Sequence, residues 1–312
     1  MSRYAGPIVD AHHHFWEPSE GHQPWLRPEA AIPFRYGDYA SIKRDYLPPD
    51  LQRDAESAGL RLVGSVTMET EWEASDPLGE IDHIEGVQAR FGLPSAAIGR
   101  VELDSDDAPA LLERMAARSI VRGIRHKPGQ AASPALADAE PTLMRDPRWR
   151  SRYATLAGLG LDFELQTAWW HLDEAIDLVR AHPDVQLTIN HTGLPSNRSR
   201  SGIEGWAAAL ARIAVLPQVW IKLSGIGLAG EPWTTEVNRE IVERTVETFG
   251  TDRVMVASNF PVDGLTGSYA DIMGGFAELL AGASASEQRA LFAGNAVARY
   301  RLDPAILEDR VS

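Results

Sequence analysis

Two kinds of stretch alternate along the chain. Short apolar runs rich in β-branched residues recur at 8–12, 61–68, 96–102, 120–125, 161–166, 185–191, 218–224 and 253–258. Their length and composition suit buried strands. Longer stretches between them repeat apolar residues every three or four positions, the helical period. "DLQRDAESAG" follows Pro48 and Pro49, a favourable helix start. "APALLERMAARS" (108–119) keeps the same spacing, and "WRSRYATLAGLG" ends on Gly158 and Gly160. "HLDEAIDLVRAHP" stops at Pro183, "EVNREIVERTVETFG" stops at Gly250, and "EQRALFAGNAVARYR" reads as a closing helix. Strands alternating with helices predict an α/β protein with a parallel sheet, and eight such units predict a single (β/α)8 TIM barrel over 1–312. A doubly wound open sheet is the alternative, weakened because no Gly-rich phosphate loop follows the first strand. The longest connection, 15–48, follows strand one and is rich in Pro and aromatics.

Composition narrows the partners. The chain has 30 basic and 44 acidic residues, a net charge of -14, which disfavours binding to a phosphate backbone. No apolar run reaches membrane-spanning length, and the N-terminus carries no apolar signal segment. Cysteine is absent, so any metal would need His, carboxylate, amide or water ligands. These features predict a cytoplasmic protein acting on a small molecule, with no nucleic-acid or membrane partner; homo-oligomerisation is left open.

In a parallel barrel, chemistry gathers at the C-terminal strand ends. "IVDAHHHFW" places His12 and His14 on one face of strand one and His13 on the other. Glu69 and Glu71 end strand two; Arg125, His126 and Lys127 end strand four; Gln166 ends strand five. His191 ends strand six, Lys222 and Ser224 strand seven, and Asn259 and Asp263 strand eight. The loop after strand five offers Trp169, Trp170 and His171, and the first loop offers Trp16, Trp25, Arg35, Tyr36 and Tyr46. Each has a structural reading too. The histidines could be hydrogen-bonded core residues, the tryptophans could pack loops, Lys222 could pair with a carboxylate, and Asp263 could cap a helix. Polar residues at so many ends of one face favour a site.

"DAHHHFW", "GIRHK", "INHTGLP", "KLSG" and "ASNFPVD" together resemble the lactonase branch of the amidohydrolase superfamily, from residue 8 to about 300. The resemblance implies a (β/α)8 barrel that hydrolyses a lactone or related cyclic ester. His12 and His14 match its strand-one HxH, His191 its strand-six His, and Arg125 with His126 its strand-four pair. Two positions depart from the pattern. Gln166 stands where a strand-five metal His is usual, and Asn259 stands where an Asp general base is usual. An amide takes no proton from water near neutral pH. Glu69 or Asp263 is therefore expected to supply the base. One divalent ion, zinc first, is expected on His12, His14, Glu69 and His191, with a metal-free mechanism as the alternative. Arg125, His126, Lys222, Trp169, Trp170, His171 and Tyr36 are expected to orient an anionic or aromatic cyclic ester. An amide or other ester hydrolase on the same barrel and a non-catalytic binding barrel remain alternatives; a decarboxylase is disfavoured by the two departures.

Overall fold

The structure, a computed structural model, describes residues 4–308. Eight parallel strands follow one another round the sheet in chain order. They are β1 (Pro7–His13), β2 (Arg61–Met68), β3 (Ala96–Arg100), β4 (Val121–Arg125), β5 (Asp162–Leu165), β6 (Leu187–Ile189), β7 (Val219–Leu223) and β8 (Val254–Val256). The helices between them are α1 (Pro48–Ser57), α2 (Gly79–Phe91), α3 (Ala108–Ala116), α4 (Pro147–Tyr153), α5 (Leu172–Ala181), α6 (Arg200–Ala214), α7 (Thr235–Phe249) and α8 (Tyr269–Leu279). This is the expected (β/α)8 TIM barrel. Every residue of β1 is buried, as both faces of a parallel strand under a helical layer require.

The seam between β8 and β1 is closed just beyond the strands. His14 donates its backbone N–H to Phe260 O (2.8 Å), and Asn259 donates to His12 O (2.7 Å). Asp10 takes the N–H of Ser258 at 3.0 Å and its hydroxyl at 2.6 Å. Barrel closure thus delivers the ends of the first and last strands to each other. At the opposite end, the closing stretch forms α9 (Ala285–Arg289), one π-helical turn, and α10 (Asn295–Arg299). Ala293, Ala296, Val297 and Tyr300 pack there on Val9, Val66, Ile98 and Met255 from the strands.

Two expectations shift. The helix beginning near Trp149 ends at Tyr153, and a short 3-10 turn, Ala157–Leu159, carries the chain to left-handed Gly160. Asp263 caps no helix: Ser268 takes that role for α8 with a reciprocal bond to Asp271. Among the described residues, no helix is long and apolar enough to cross a membrane.

Residues 15–48 fold back over the barrel mouth. An antiparallel bridge between Trp16 and Tyr46 pins their ends. Trp25 stacks on Phe34 and meets Trp16 edge-on, so the loop carries an aromatic core of its own.

Candidate active site

Three imidazoles form the floor of the mouth. The rings of His12 and His14 lie 5.4 Å apart, and those of His12 and His191 lie 4.5 Å apart. His13 points elsewhere and packs on Phe15, as strand alternation requires. The Nδ1 of His14 lies 3.2 Å from the carbonyl oxygen of Met68. A carbonyl only accepts, so Nδ1 carries the proton and Nε2 keeps its lone pair. Burial, then the Arg125 charge, pulls His14 down to about 3; burial above all lowers His12 and His191 well below the ordinary histidine value, with Arg35 next for His191. All three are neutral at physiological pH.

His191 reaches the floor through unusual backbone. His191, Thr192 and Leu194 all have positive φ, a conformation costly for residues with a Cβ. Trp206 holds this turn by donating to Thr192 O (2.6 Å). The ring of His191 packs on Gly225, where a Cβ would lie 2.3 Å from Nδ1, so only glycine fits. The same Nδ1 meets Ser224 Oγ at 3.0 Å.

Glu69 is not a free carboxylate. One oxygen takes Arg125 Nε at 2.6 Å, and the other takes the N–H of Glu71 at 2.8 Å. Burial pushes its carboxyl up, but Arg125 and Lys127 outweigh that and hold it at about 2. A carboxylate so engaged is a poor base and a poor metal ligand, which revises both expected roles. Arg125 also donates to Gln166 (3.0 Å), so the residue in the strand-five metal position is tied up as well. Asn259 donates to Asp263 at 2.6 Å, and Tyr36 donates to the same oxygen at 2.9 Å. Burial raises the carboxyl of Asp263, and its second oxygen has no partner.

The mouth has two lobes. The inner one, about 240 Å³, is bordered by His14, Glu69, Arg125, His191 and Asn259, with Trp25 and Phe34 overhead. The outer one, about 480 Å³, is bordered by Tyr36 and Trp170 among others. Arg35, Lys127 and Gln166 border both lobes, so the two adjoin.

Four expected binding residues lie elsewhere. His126 accepts from Leu103 N and Trp149 Nε1, both at 3.0 Å, and fastens loops together. His171 spends Nε2 on Ala131 N and Nδ1 on Glu174, both at 2.9 Å. Lys222 is fully buried against Glu164 at 2.9 Å. Trp169 packs over Gly193 and Gly205. In each case a packing or pairing demand takes the side chain that its strand-end or loop position offered to a ligand.

The imidazoles suit a divalent ion chemically, being neutral, and both ring nitrogens of His12 lack a partner. Their placement does not. Among the described residues, no group of three His, Cys, Asp or Glu side chains is arranged to hold one metal ion. Glu69 and Gln166 nearby are committed to Arg125.

The sequence profile of the Amidohydrolase family matches residues 9–302. The chain belongs to the amidohydrolase family. This amidohydrolase is 36% identical over 296 residues to the uncharacterized protein y4mH of Sinorhizobium fredii, covering 95% of this chain and 98% of that one. It is 27% identical over 304 residues to an L-fucono-1,5-lactonase of Burkholderia ambifaria, covering 95% and 96%. A crystal structure of a Burkholderia multivorans amidohydrolase with bound zinc superposes with a TM-score of 0.75 at 24% identity, covering 96% of this chain and all of that one. That last likeness is one of fold.

Sequence reasoning overlooked Phe34 and Arg198, both of which border the mouth. Arg198 stands in "SNRSR", which has the composition of a solvated loop.

Buried neutral histidines should make this amidohydrolase acid-sensitive. His12, His13, His14 and His191 are all depressed by burial first. Below about pH 6.5 the unfolded chain takes protons on them that the folded chain refuses, so stability falls as pH falls. Burial has the opposite sign for carboxyls: Glu80, raised to about 8, and Asp10, raised to about 6, keep protons in the folded state. His83 and His126 are also lowered and Asp162 and Asp263 also raised, so six imidazoles stand against four carboxyls, a net of two. Two groups at roughly 1.4 kcal/mol per pH unit each give a loss of about 3 kcal/mol per unit below pH 6. Against a typical stability of about 5–15 kcal/mol, circular dichroism should show unfolding by about pH 4. A native spectrum at pH 3.5 would contradict this balance.

Proposed function

We propose that this amidohydrolase opens a small cyclic ester by adding water to its carbonyl. The observation that carries the proposal is His14: neutral, fixed in one tautomer by Met68 O, and bordering the same lobe as Arg125 and Asn259. Water attacks the carbonyl carbon as its proton passes to His14 Nε2. Arg125 donates to the developing oxyanion, in a lobe that Trp25 and Phe34 shield from solvent. When the ring C–O bond breaks, His14 returns the proton to the departing oxygen, and the product is a hydroxy acid. His191 and Asn259 position the water. The lactonases of Burkholderia among the relatives support an ester over an amide as the bond cleaved.

A lactone and cyclic-amide panel assayed by proton release, with and without added Zn2+ or Mn2+, tests this reading. Turnover of lactones over lactams is the expected result; turnover of lactams alone, or of neither, would sink it.

Water activation by a divalent ion is the second reading, favoured by the unpartnered ring nitrogens of His12 and by the zinc of the Burkholderia multivorans structure. Protein purified without a nickel column and stripped by chelator is expected to keep its rate within about threefold, since a metal that activated water would be worth far more. A loss restored by zinc would replace His14 as the water-activating group and leave the ester-opening reading intact.

A further inference from the structure

The outer lobe holds a cation that this chemistry does not use. Arg198 lies half-buried in the loop between β6 and α6. Its Nη2 donates to Ile226 O at 2.7 Å and to Asn238 Oδ1 at 3.2 Å. Its Nε and Nη1 are buried with no partner. A buried guanidinium with idle N–H groups is costly unless something accepts from them. Among the described residues no carboxylate pairs with it, and none borders this lobe, although the chain carries 44 acidic residues. The other two cations of the lobe are placed differently. Lys127 pairs with Glu71, and Arg35 is exposed, with its Nη2 turned to Gly225 O and to Tyr36. The rest of the wall is largely apolar, with Trp170, Leu194, Ile226 and Leu228.

A buried cation with idle N–H groups in a largely apolar lobe matches a negative charge on an apolar arm. Because Arg35, Lys127 and Gln166 border both lobes, a single ligand can span them.

We propose that the cyclic ester carries a carboxylate on an apolar arm, and that Arg198 receives this carboxylate while the ring carbonyl lies between His14 and Arg125. The inference rests on the ester-opening reading for its reaction and on the outer lobe alone for its specificity. The guanidinium offers charge-assisted N–H groups to the carboxylate oxygens, and the low polarity of the wall strengthens them.

The test compares a γ-butyrolactone bearing a carboxyphenyl arm with its primary amide, which keeps the shape and removes the charge. Wild-type protein should prefer the carboxylate by about 10- to 100-fold in kcat/KM, the usual worth of a buried charge-assisted pair. In Arg198→Met the preference should collapse to near unity, through KM rather than kcat, and Arg198→Lys should restore part of it. Binding of 3-phenylpropionate and of its amide, followed by calorimetry, runs in parallel and needs no turnover. Selective binding of the acid that Arg198→Met abolishes, with neither lactone hydrolysed, would retain the subsite and overturn the ester-opening reading. Both lactones hydrolysed equally well, with no acid selectivity in wild type, would overturn the subsite and retain the reaction. The wild-type comparison decides even if Arg198→Met fails to fold.

Discussion

Replacing His14 by asparagine should lower kcat by about 100- to 10,000-fold, the usual worth of a general base, while the barrel stays folded. Asparagine places its amide nitrogen where Nδ1 stands and can still donate to Met68 O, so the local hydrogen bond survives. What disappears is the lone pair at Nε2, because an amide does not accept a proton near neutral pH. The measurement is kcat on the best lactone, with the thermal midpoint recorded alongside. His13→Leu serves as the contrast: His13 packs on Phe15 away from the lobe and should keep most of its turnover. Equal losses at both positions would end the assignment. The pH profile carries a second signature. A base held at about 3 by burial and Arg125 has its lone pair free throughout the neutral range. The rate should therefore stay level from about pH 8 to pH 5, without the acid limb near 6.5 that an ordinary histidine gives. The low value weakens proton uptake and keeps the acceptor always available.

Lys222→Met should destabilise the protein by about 3–5 kcal/mol, the usual penalty for removing one partner of a buried ion pair. Lys222 and Glu164 are both fully buried and 2.9 Å apart. Tyr300 also donates to Glu164 at 2.5 Å, and Asn190 donates to the other oxygen. Without the ammonium, Glu164 is left charged in the barrel interior with only neutral donors. Adding Glu164→Gln should recover much of the loss, since the uncompensated charge goes with it. Chemical denaturation of the two variants gives both numbers. An unchanged midpoint for Lys222→Met, with KM raised instead, would return Lys222 to the substrate-binding role its strand-end position suggests.

The sequence by itself determined the barrel. Eight β-branched runs and the helical periods between them dictate it, because a strand buried on both faces and a helix buried on one leave local signatures. Alternation alone placed His12 and His14 together and His13 apart, and strand-end position alone brought Arg125, His191, Asn259 and Glu69 to one mouth. Tertiary structure decided which of these side chains are free to act. Glu69 looked like a base until Arg125, far along the chain, was seen to bind it. His126, His171 and Lys222 are strand-end or loop residues like the others, yet Trp149, Glu174 and Glu164 claim them. Arg198 is the reverse case: it reads as a solvated loop residue, and only packing leaves two of its nitrogens buried without a partner beside a lobe that has no carboxylate. Periodicity is a property of neighbours along the chain, so it is written in the sequence. Partnership between charges depends on contacts made across the barrel, and those exist only once the chain has closed.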